Sequence, residues 1–354
     1  MPTREELTML QHLPLEVKVA KTQQRIREWV NFYGKDGVYV SFSGGKDSTV
    51  LLHLVRGLYG NDIPAVFVDT GLEYPEIKQF VKTFENVEIL KPKMGFVDVI
   101  TKYGYPIIGK EVADRIEGVK KCINSNGEKY VQFYYQINQE YPTERIKPLY
   151  GDKLSKRYDF SKWKPLLDVD FNISPKCCSV MKKTPANIYA KITGRNSITG
   201  VMAEESRLRK TNWLKTGCNA FDSKVPMSNP MAFWKNQDVL QYIKENKIPI
   251  CSVYGDIVSV DTDKNQYENS LVGSKLRTTG CQRTGCIFCA FGAHSRGDRR
   301  FLDLKITHPK QYAYCMNGGE FVDGIWKPNK QGLGMRYVFD RVNEIYGKDF
   351  IKYE

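Results

Sequence analysis

The fold is indicated most clearly by the segment VYVSFSGGKDSTVLLHL (residues 38–54). Its first part, residues 38–42, is a short apolar run rich in β-branched and aromatic side chains, which predicts a buried strand. Two glycines follow almost directly, and residues 49–60 then read as a helix that ends at a glycine. A strand that passes through a glycine-rich turn into a helix is the first half of a βαβ unit.

The alternation of strands and helices continues along the chain. Residues 64–71, 87–90 and 197–203 predict further strands, and residues 233–249 predict a helix closed by a proline. We therefore expect an α/β fold with a Rossmann-like, doubly wound parallel sheet and a small Cys-rich C-terminal appendage.

Three regions are predicted. A helical segment occupies residues 1–35, an α/β domain occupies residues 36–250, and a Cys-rich region occupies residues 251–354. An insertion at about residues 118–165 interrupts the α/β domain, because Lys, Tyr, Asn and Gln dominate there and the apolar residues have little periodicity.

The charge points to an anionic ligand. The 53 Lys and Arg residues exceed the 40 Asp and Glu residues, which gives a formal net charge of +13 and favours a nucleotide or a nucleic acid. The insertion carries basic and aromatic residues that would suit a nucleic-acid acceptor, although a solvated basic loop accounts for them equally well. These residues are Lys120, Lys121, Lys129, Tyr130, Tyr134, Tyr135, Arg145 and Lys147. No apolar run approaches the length of a membrane span and no apolar signal region opens the chain, so we expect a cytoplasmic protein that does not bind membranes.

The glycine pair predicts an anion-binding loop. Gly44 and Gly45 allow a tight turn that brings backbone N–H groups against an anion. The helix that follows adds the positive end of its dipole, and Lys46 adds a full charge. Ser43 and Ser48 offer hydroxyl groups to phosphate oxygens.

The cysteines suggest a metal site. Nine cysteines, an odd number, argue against a disulfide framework and for a reducing compartment. Five of them fall into two tight groups, namely Cys177, Cys178, Cys281, Cys286 and Cys289. The last three have the spacing of a plant-type iron–sulfur ligand run, which needs one more cysteine from elsewhere. Thiolate sets of this kind also bind structural zinc, so the residues alone leave both metals open.

The segment SGGKDS (43–48) resembles the PP-loop of the adenine-nucleotide α-hydrolases, which cleave ATP between its α and β phosphates. Further segments are similar, in the same order, to the phosphoadenosine phosphosulfate (PAPS) reductase family. They are VFVDTG (66–71), KCCSVMKKTPA (176–186), GVMAEESRLR (200–209) and NPMAFWKNQDVLQYIKENKIP (229–249). The resemblance covers roughly residues 36–290.

The resemblance implies roles for individual residues. Residues 43–48 would grip the phosphates of ATP, or of the sulfonucleotides APS and PAPS, and Asp47 would also orient Mg²⁺. Asp69 and Thr70, at the carboxyl end of the second strand, would contact the nucleotide or a metal. Arg207 and Arg209 would stabilise the charge that develops on phosphate or sulfate. Lys46, together with the Mg²⁺ that Asp47 orients, would stabilise the departing pyrophosphate.

The resemblance also implies an iron–sulfur cluster. Cluster-containing members of this family bind 4Fe–4S through a tandem Cys-Cys and a distant Cys-x-x-Cys, a pattern that Cys177, Cys178, Cys286 and Cys289 match. Cys281 competes for one of the four positions, and zinc is the alternative metal.

The chain departs from the sulfonucleotide reductases of this family near its end. Those enzymes carry a nucleophilic cysteine in a Glu-Cys-Gly-Leu-His tail, whereas this chain ends GKDFIKYE (347–354) and its last cysteine is Cys315. We therefore expect an ATP pyrophosphatase that adenylylates an acceptor for sulfur transfer from a donor, resembling the PP-loop enzymes of tRNA thiolation and DNA phosphorothioation. One alternative is an APS or PAPS reductase that uses an external thiol protein. Another is a non-catalytic nucleotide- or nucleic-acid-binding module with a structural metal site.

Overall fold

The structure, a computed structural model, describes residues 2–122, 128–140, 156–260 and 275–354. Its strands are β1 (Val38–Ser41), β2 (Ala65–Val68), β3 (Val87–Leu90), β4 (Ile107–Ile108), β5 (Asn196–Thr199), β6 (Asn219–Ala220), β7 (Met227–Ser228), β8 (Ile257–Val260), β9 (Lys275–Thr278), β10 (Ala290–Phe291), β11 (Glu320–Val322) and β12 (Ile325–Lys327). Its helices are α1 (Arg4–Gln11), α2 (Leu15–Tyr33), α3 (Lys46–Tyr59), α4 (Pro75–Val81), α5 (Phe96–Tyr103), α6 (Lys110–Cys122), α7 (Glu128–Asn138), α8 (Lys176–Cys178), α9 (Thr184–Thr193), α10 (Arg207–Thr216), α11 (Asn236–Glu245), α12 (Arg300–Thr307), α13 (Pro309–Met316) and α14 (Met335–Tyr346). Within these ranges we find no helix with the length and apolar character that crossing a membrane requires.

The chain forms two compact units, each made of two segments. The first unit comprises Met1–Pro92 and Thr184–Cys286, and the second comprises Lys93–Lys183 and Ile287–Glu354. The sequence predicts boundaries near residues 35 and 250, which would divide the chain into three consecutive domains. These boundaries stay a prediction.

The first unit is built around a six-stranded sheet with the order β3-β2-β1-β5-β7-β6. Its strands are parallel except for β6, which runs antiparallel to β7. Val40 of β1 lies opposite Ala65 of β2 on one side and opposite Ile198 of β5 on the other. The Rossmann-like α/β fold with a parallel sheet that the sequence predicts is confirmed.

The strand order identifies the edge of the sheet where a ligand is expected. From β1 the chain winds through α3 to β2 and through α4 to β3, whereas β5 pairs with the other side of β1. In open α/β sheets, ligands bind beyond the carboxyl ends of the strands at such a switch point. The loops that follow β1 and β5 therefore flank the expected site.

A buried ion pair joins α2 to α11 in the first unit. Lys18 Nζ lies 2.6 Å from Asp238 Oδ2, and the two side chains are only 2% and 14% exposed. Asp238 also accepts a hydrogen bond from the backbone N–H of Lys235, where α11 begins. Trp234, fully buried just before this helix, donates its Nε1–H to Thr22 Oγ1 on α2. These directional contacts fix the position of α11 against α2.

The second unit is mainly helical. Helices α12, α13 and α14 pack in succession, and the rings of Phe301 and Phe339 lie 4.9 Å apart between their centroids. β4 and β10 form a short parallel pair, with Ile107 opposite Ala290. β11 and β12 form an antiparallel hairpin.

Part of the predicted insertion is helical. In the second unit α6 and α7 pack against each other as a helical hairpin, although the sequence shows little periodicity there. The reason is that Val131, Phe133, Tyr135 and Ile137 are all buried, and side chains two positions apart lie on different faces of a helix. A helix that is buried on more than one face has no single apolar stripe for the sequence to reveal.

Two of the basic residues predicted for the insertion, Arg145 and Lys147, lie outside the described residues. Among the others, Lys121 pairs with Glu117 on α6. Burial lowers the pKa of Lys120, and the nearby Asp168 opposes this change. These two lysines are therefore engaged within the second unit.

Candidate functional site

The loop of residues 43–48 leads from β1 into α3 with a backbone suited to an anion. Gly44 has a φ of 70°, in the left-handed region that favours glycine. A Cβ atom at this position would also lie 2.8 Å from Val81 Cγ2 and 2.9 Å from Ile77 Cγ2. Gly45 is the N-cap of α3, so it precedes the first N–H groups of the helix, which have no acceptor within the helix itself. The turn predicted from the glycine pair is therefore present.

Two serines hold the shape of this loop. The backbone N–H of Ser43 donates to Ser48 Oγ over 3.1 Å, and the two hydroxyl oxygens lie 3.0 Å apart. Ser48 Oγ also donates to the carbonyl oxygen of Gly45 over 2.9 Å. The loop is thus formed by its own hydrogen bonds before a ligand binds, which reduces the cost of reorganisation on binding.

A cavity of about 370 Å³ lies over this loop in the first unit. This volume falls within the range of about 300–1,000 Å³ that is usual for ligand pockets. Its wall combines the loop after β1, the loop after β5, the start of α10 and two segments that follow residue 250. The lining residues are Ser41, Ser43, Gly45, Lys46, Asp47, Ser48, Thr199, Gly200, Val201, Glu205, Arg209, Tyr254, Arg283, Thr284 and Gly285.

Lys46 and Asp47 form an ion pair in the wall of this cavity. Lys46 Nζ lies 2.8 Å from Asp47 Oδ1, and the side chains are 4% and 28% exposed. Both residues belong to the first turn of α3, where the helix dipole favours negative charge. A phosphate group that binds here would compete with Asp47 for the Lys46 ammonium group.

Glu205 holds two arginines in the same wall. One of its carboxylate oxygens lies 2.8 Å from Arg283 Nη2, and the other contacts Arg209 Nη1. Burial lowers the pKa of Arg209, the positive charge of Arg283 lowers it further, and Asp47 opposes both effects. Because adjacent guanidinium groups repel each other, a bound polyanion would stabilise both. The lining therefore offers its cationic groups from two sides.

Asp69 and Thr70 are engaged in a turn beyond β2 and lie outside the lining of the cavity. Asp69 Oδ1 lies 2.6 Å from Lys78 Nζ and accepts from the Gly71 N–H over 3.0 Å. Burial would raise the pKa of Asp69, but these two hydrogen bonds outweigh it and lower the pKa. Thr70 Oγ1 donates to a Glu73 carboxylate oxygen over 2.8 Å. Their predicted contact with a nucleotide or a metal stays a prediction.

The structure groups some of the predicted phosphate-site residues and separates others. The cavity wall contains Ser43, Gly45, Lys46, Asp47, Ser48 and Arg209. Gly44 shapes the loop from outside the lining, and Arg207 is exposed on the first turn of α10.

The lining residues to which the sequence analysis assigned no role include Glu205, Tyr254, Arg283 and Thr284. Glu205 lies in a segment used for the family resemblance but received no role there. Arg283 and Thr284 lie between Cys281 and Cys286, where the cysteines suggested only a metal site. Tyr254 ends a short 3₁₀ turn and carries no local signal, because only the fold brings it to the loop of residues 43–48.

The five grouped cysteines are divided between the two units. Cys281 and Cys286 belong to the first unit, and Cys177, Cys178 and Cys289 belong to the second. Burial raises the pKa of Cys289, a hydrogen bond with the Phe291 backbone opposes this change, and the charge of Cys178 adds to it.

The grouped cysteines are candidate ligands of a metal centre. A cluster or a structural zinc ion requires four ligands. Throughout the described ranges, no three side chains of His, Cys, Asp or Glu are grouped so that they could hold a metal ion. The described residues therefore do not form a complete ligand set, and the predicted cluster stays a prediction.

Comparison with known proteins gives a family match over most of the chain. The model of the phosphoadenosine phosphosulfate reductase domain matches residues 37–107 and 117–291. These ranges include the loop of residues 43–48, the wall of the cavity and all five grouped cysteines.

Similar curated proteins come from several sources. An uncharacterized protein of Methanocaldococcus jannaschii is 36% identical over 112 residues, which are 30% of this chain and 23% of that protein. An uncharacterized nin region protein of Escherichia phage lambda is 30% identical over 162 residues, 35% of this chain and 55% of that protein. A glutamine-hydrolyzing GMP synthase of Shewanella sp. (strain MR-7) is 27% identical over 146 residues, 35% of this chain and 27% of the synthase. The matches thus span from about a quarter to about half of these relatives' lengths.

Among solved structures, a crystal structure of phosphoadenylyl-sulfate (PAPS) reductase from Candida auris, in a phosphate complex, has a TM-score of 0.35 and 16% sequence identity to this chain. The match covers 71% of this chain and 91% of that one.

Proposed function

The chain belongs to the phosphoadenosine phosphosulfate reductase domain family, and from this premise we propose that it is a PP-loop ATP pyrophosphatase that adenylylates an acceptor for sulfur transfer. The observation that carries the proposal is the cavity over residues 43–48. There a preformed loop and the N-terminus of α3 meet Lys46 on one side and the Glu205-held pair Arg209 and Arg283 on the other. Such a wall suits a polyphosphate, whose charge these groups would share.

The proposed reaction has two steps, adenylylation of the acceptor and then sulfur transfer. An oxygen of the acceptor forms a bond to the α-phosphorus of ATP while the bond from that phosphorus to the oxygen bridging the β-phosphate breaks. The acceptor proton passes to solvent, and pyrophosphate departs with its charge stabilised by Lys46 and the amides of the loop. Arg209 and Arg283 would stabilise the charge on the α-phosphate. A sulfur donor then attacks the adenylylated acceptor, and AMP leaves.

Magnesium is expected to accompany the nucleotide. Mg²⁺ commonly binds through one or two carboxylates together with substrate phosphates, and Asp47 supplies one carboxylate in the cavity wall. The ion would neutralise charge on the departing phosphates. Asp47 would exchange its pairing with Lys46 for the metal when the nucleotide enters.

We retain the 4Fe–4S cluster as part of the proposal, with Cys177, Cys178, Cys281, Cys286 and Cys289 as candidate ligands. What supports it is the family pattern of these cysteines and the affinity of thiolates for iron. The reaction described above uses no cluster at any step.

A second candidate function is the reduction of APS or PAPS, which the name of the matched family favours. A thiolate would have to attack the sulfur of a bound sulfonucleotide and displace the nucleotide, which leaves an S-sulfonate on the attacking sulfur. A second thiol would then have to attack that S-sulfonate, release sulfite and leave a disulfide. The lining residues of the cavity include no cysteine within the described part of the chain. Cys315 is fully buried, and burial strongly raises its pKa, which disfavours a thiolate there. These observations disfavour a nucleophilic cysteine of this chain, so a reductase would have to use an external thiol protein.

The nature of the acceptor is a further part of the proposal. A nucleic acid would match the net charge of +13. The test is product formation from ATP with total RNA or DNA added in turn. Stimulation by one of them supports a nucleic-acid acceptor, and equal activity without either removes it.

The products formed by the purified protein separate the candidate functions. The protein is purified without oxygen and incubated with ATP, APS and PAPS in turn, with total nucleic acid and a thiol reductant present. AMP and pyrophosphate from ATP would support the proposal. Sulfite from APS or PAPS would support the reductase instead, and no product from any nucleotide would indicate a binding module.

A further inference from the structure

Tyr254 is buried against the anion loop although it lies more than two hundred residues from it in the chain. Its side chain is 2% exposed, and its hydroxyl oxygen accepts a hydrogen bond from the backbone N–H of Lys46 over 3.0 Å. This N–H is the first of helix α3. Because the first N–H groups of a helix carry the positive end of its dipole, the Tyr254 oxygen lies where an anion would gain the most.

A second hydroxyl group holds Tyr254 in place. Thr284 Oγ1 lies 2.6 Å from the Tyr254 oxygen, and either atom can be the donor. Both residues line the cavity. If Thr284 donates to Tyr254, the phenol accepts two hydrogen bonds and its own proton remains available for a third partner.

The backbone around Tyr254 is fixed. The Gly280 N–H donates to the Tyr254 carbonyl oxygen over 2.8 Å, and the Cys281 N–H donates to the Val253 carbonyl oxygen over 2.9 Å. A Cβ atom on Gly280 would lie 2.4 Å from the Val253 oxygen, so this close approach requires glycine. The segment that carries Thr284 is therefore anchored to the turn that carries Tyr254.

We propose that Tyr254 is a further anion-binding residue of the cavity, whose hydroxyl group accepts from the Lys46 amide and from Thr284 and donates its own proton to an oxygen of the bound pyrophosphate moiety. Successive hydrogen bonds polarise one another, so the helix N-terminus strengthens the phenol as a donor. Burial raises the pKa of Tyr254 to about 12, which keeps the donor proton in place at neutral pH. The inference rests on the proposed nucleotide site and adds a residue that binds the same phosphates.

The test uses inorganic pyrophosphate and ATP as probes, with binding followed by calorimetry. Tyr254→Phe keeps the ring and removes only the hydroxyl group. We expect it to raise the Kd for both probes about tenfold, as the loss of one hydrogen bond to a charged group would. Thr284→Val should weaken binding in the same direction. Thr284→Ser, which keeps the hydroxyl, should remain within about twofold of the wild type.

The matched control is another buried tyrosine whose hydroxyl group also contacts helix α3. Tyr242 is also buried in the first unit, and its hydroxyl lies 3.1 Å from His53 Nδ1 on α3, away from the cavity. Tyr242→Phe should lower the melting temperature about as much as Tyr254→Phe and leave pyrophosphate binding unchanged. Unchanged or tighter binding by Tyr254→Phe would overturn the inference, because the phenol would then be a spectator or a competitor of the anion.

The control Lys46→Met separates this inference from the proposed function. If Lys46→Met loses pyrophosphate binding while Tyr254→Phe retains it, the site stands and the role of Tyr254 falls. If the wild type binds neither probe, both fall.

Discussion

Lys46 is the single residue on which the proposed phosphate site depends most. It is a nearly buried cation, 4% exposed, in the first turn of a helix whose preceding loop is already closed by serine hydrogen bonds. The local sequence contains everything needed to predict this arrangement, since a strand, two glycines, a lysine and a helix follow one another directly. A phosphate that binds here meets a backbone dipole and a full charge together.

Replacement of Lys46 tests this arrangement directly. Lys46→Met should lower kcat/KM for ATP by about 100-fold or more, as the loss of one group that stabilises developing charge does. The measurement is the rate of AMP formation at several ATP concentrations. Lys35→Met is the control, because Lys35 and Asp62 form a surface pair whose side chains are 51% and 63% exposed. An exposed pair of this kind contributes little, so its loss should leave the rate within about twofold.

Glu205 gives a second prediction at this scale. Glu205→Gln removes the charge that holds Arg209 and Arg283. We expect kcat to fall about tenfold because the guanidinium groups lose their alignment. The affinity for ATP should not weaken, because the substitution removes a negative charge from a site that binds an anion. Glu204→Gln is the control, since Glu204 accepts from the Asn236 N–H and does not line the cavity. A Glu205→Gln enzyme with weaker ATP binding and unchanged kcat would contradict this role.

At the scale of elements, α3 shows how one helix combines structure and function. Gly44 and Gly45 form the turn that precedes its first residue, and Leu51, Leu52 and Leu54 are buried along its length. A glycine in the turn before α3 and a glycine within α3 are therefore expected to respond differently to substitution by alanine.

Two alanine substitutions should have opposite effects on stability. Gly44→Ala should cost about 2 kcal/mol or more, because its φ of 70° disfavours a side chain and a Cβ atom would press on Ile77 and Val81. Gly57→Ala should stabilise the protein by up to about 1 kcal/mol, since Gly57 lies within α3 and a Cβ atom there meets nothing within 4 Å. Urea denaturation measures both. Equal changes in the two variants would contradict the assignment of the turn.

The sequence predicts elements and contacts that are local, and misses those that only the fold creates. The loop of residues 43–48 and strands β1, β2, β3 and β5 follow from adjacent residues. Tyr254 and Arg283 reach the same cavity from segments more than two hundred residues away, and no local pattern marks them. Helix α7 was missed because it is buried on more than one face. Asp69 has the position that the sheet predicts, but Lys78 and Gly71 engage its carboxylate.

At the scale of the whole molecule, the chain divides its chemistry between two compact units. The first unit contains the six-stranded sheet, the loop of residues 43–48 and the cavity. The grouped cysteines belong to both units, with Cys281 and Cys286 in the first and Cys289 in the second. A test of the proposed cluster therefore uses the intact protein.

The metal prediction is checked by iron, zinc and acid-labile sulfide analysis after purification without oxygen. We expect iron and sulfide in equal amounts, with a broad visible absorbance that Cys286→Ser and Cys289→Ser abolish. Cys122→Ser is the control, because Cys122 is a buried thiol outside the grouped five. Zinc in place of iron, or a protein without metal, would contradict the cluster.

The position of the bond that is cleaved in ATP distinguishes a pyrophosphatase from an ordinary ATPase. The intact protein is incubated with ATP, with α,β-methylene-ATP and with β,γ-methylene-ATP, and the products are identified by phosphorus NMR. Cleavage between the α and β phosphates predicts AMP from ATP and from the β,γ-methylene analogue, and no reaction of the α,β-methylene analogue. Release of ADP and inorganic phosphate from ATP, with the β,γ-methylene analogue inert, would contradict the account.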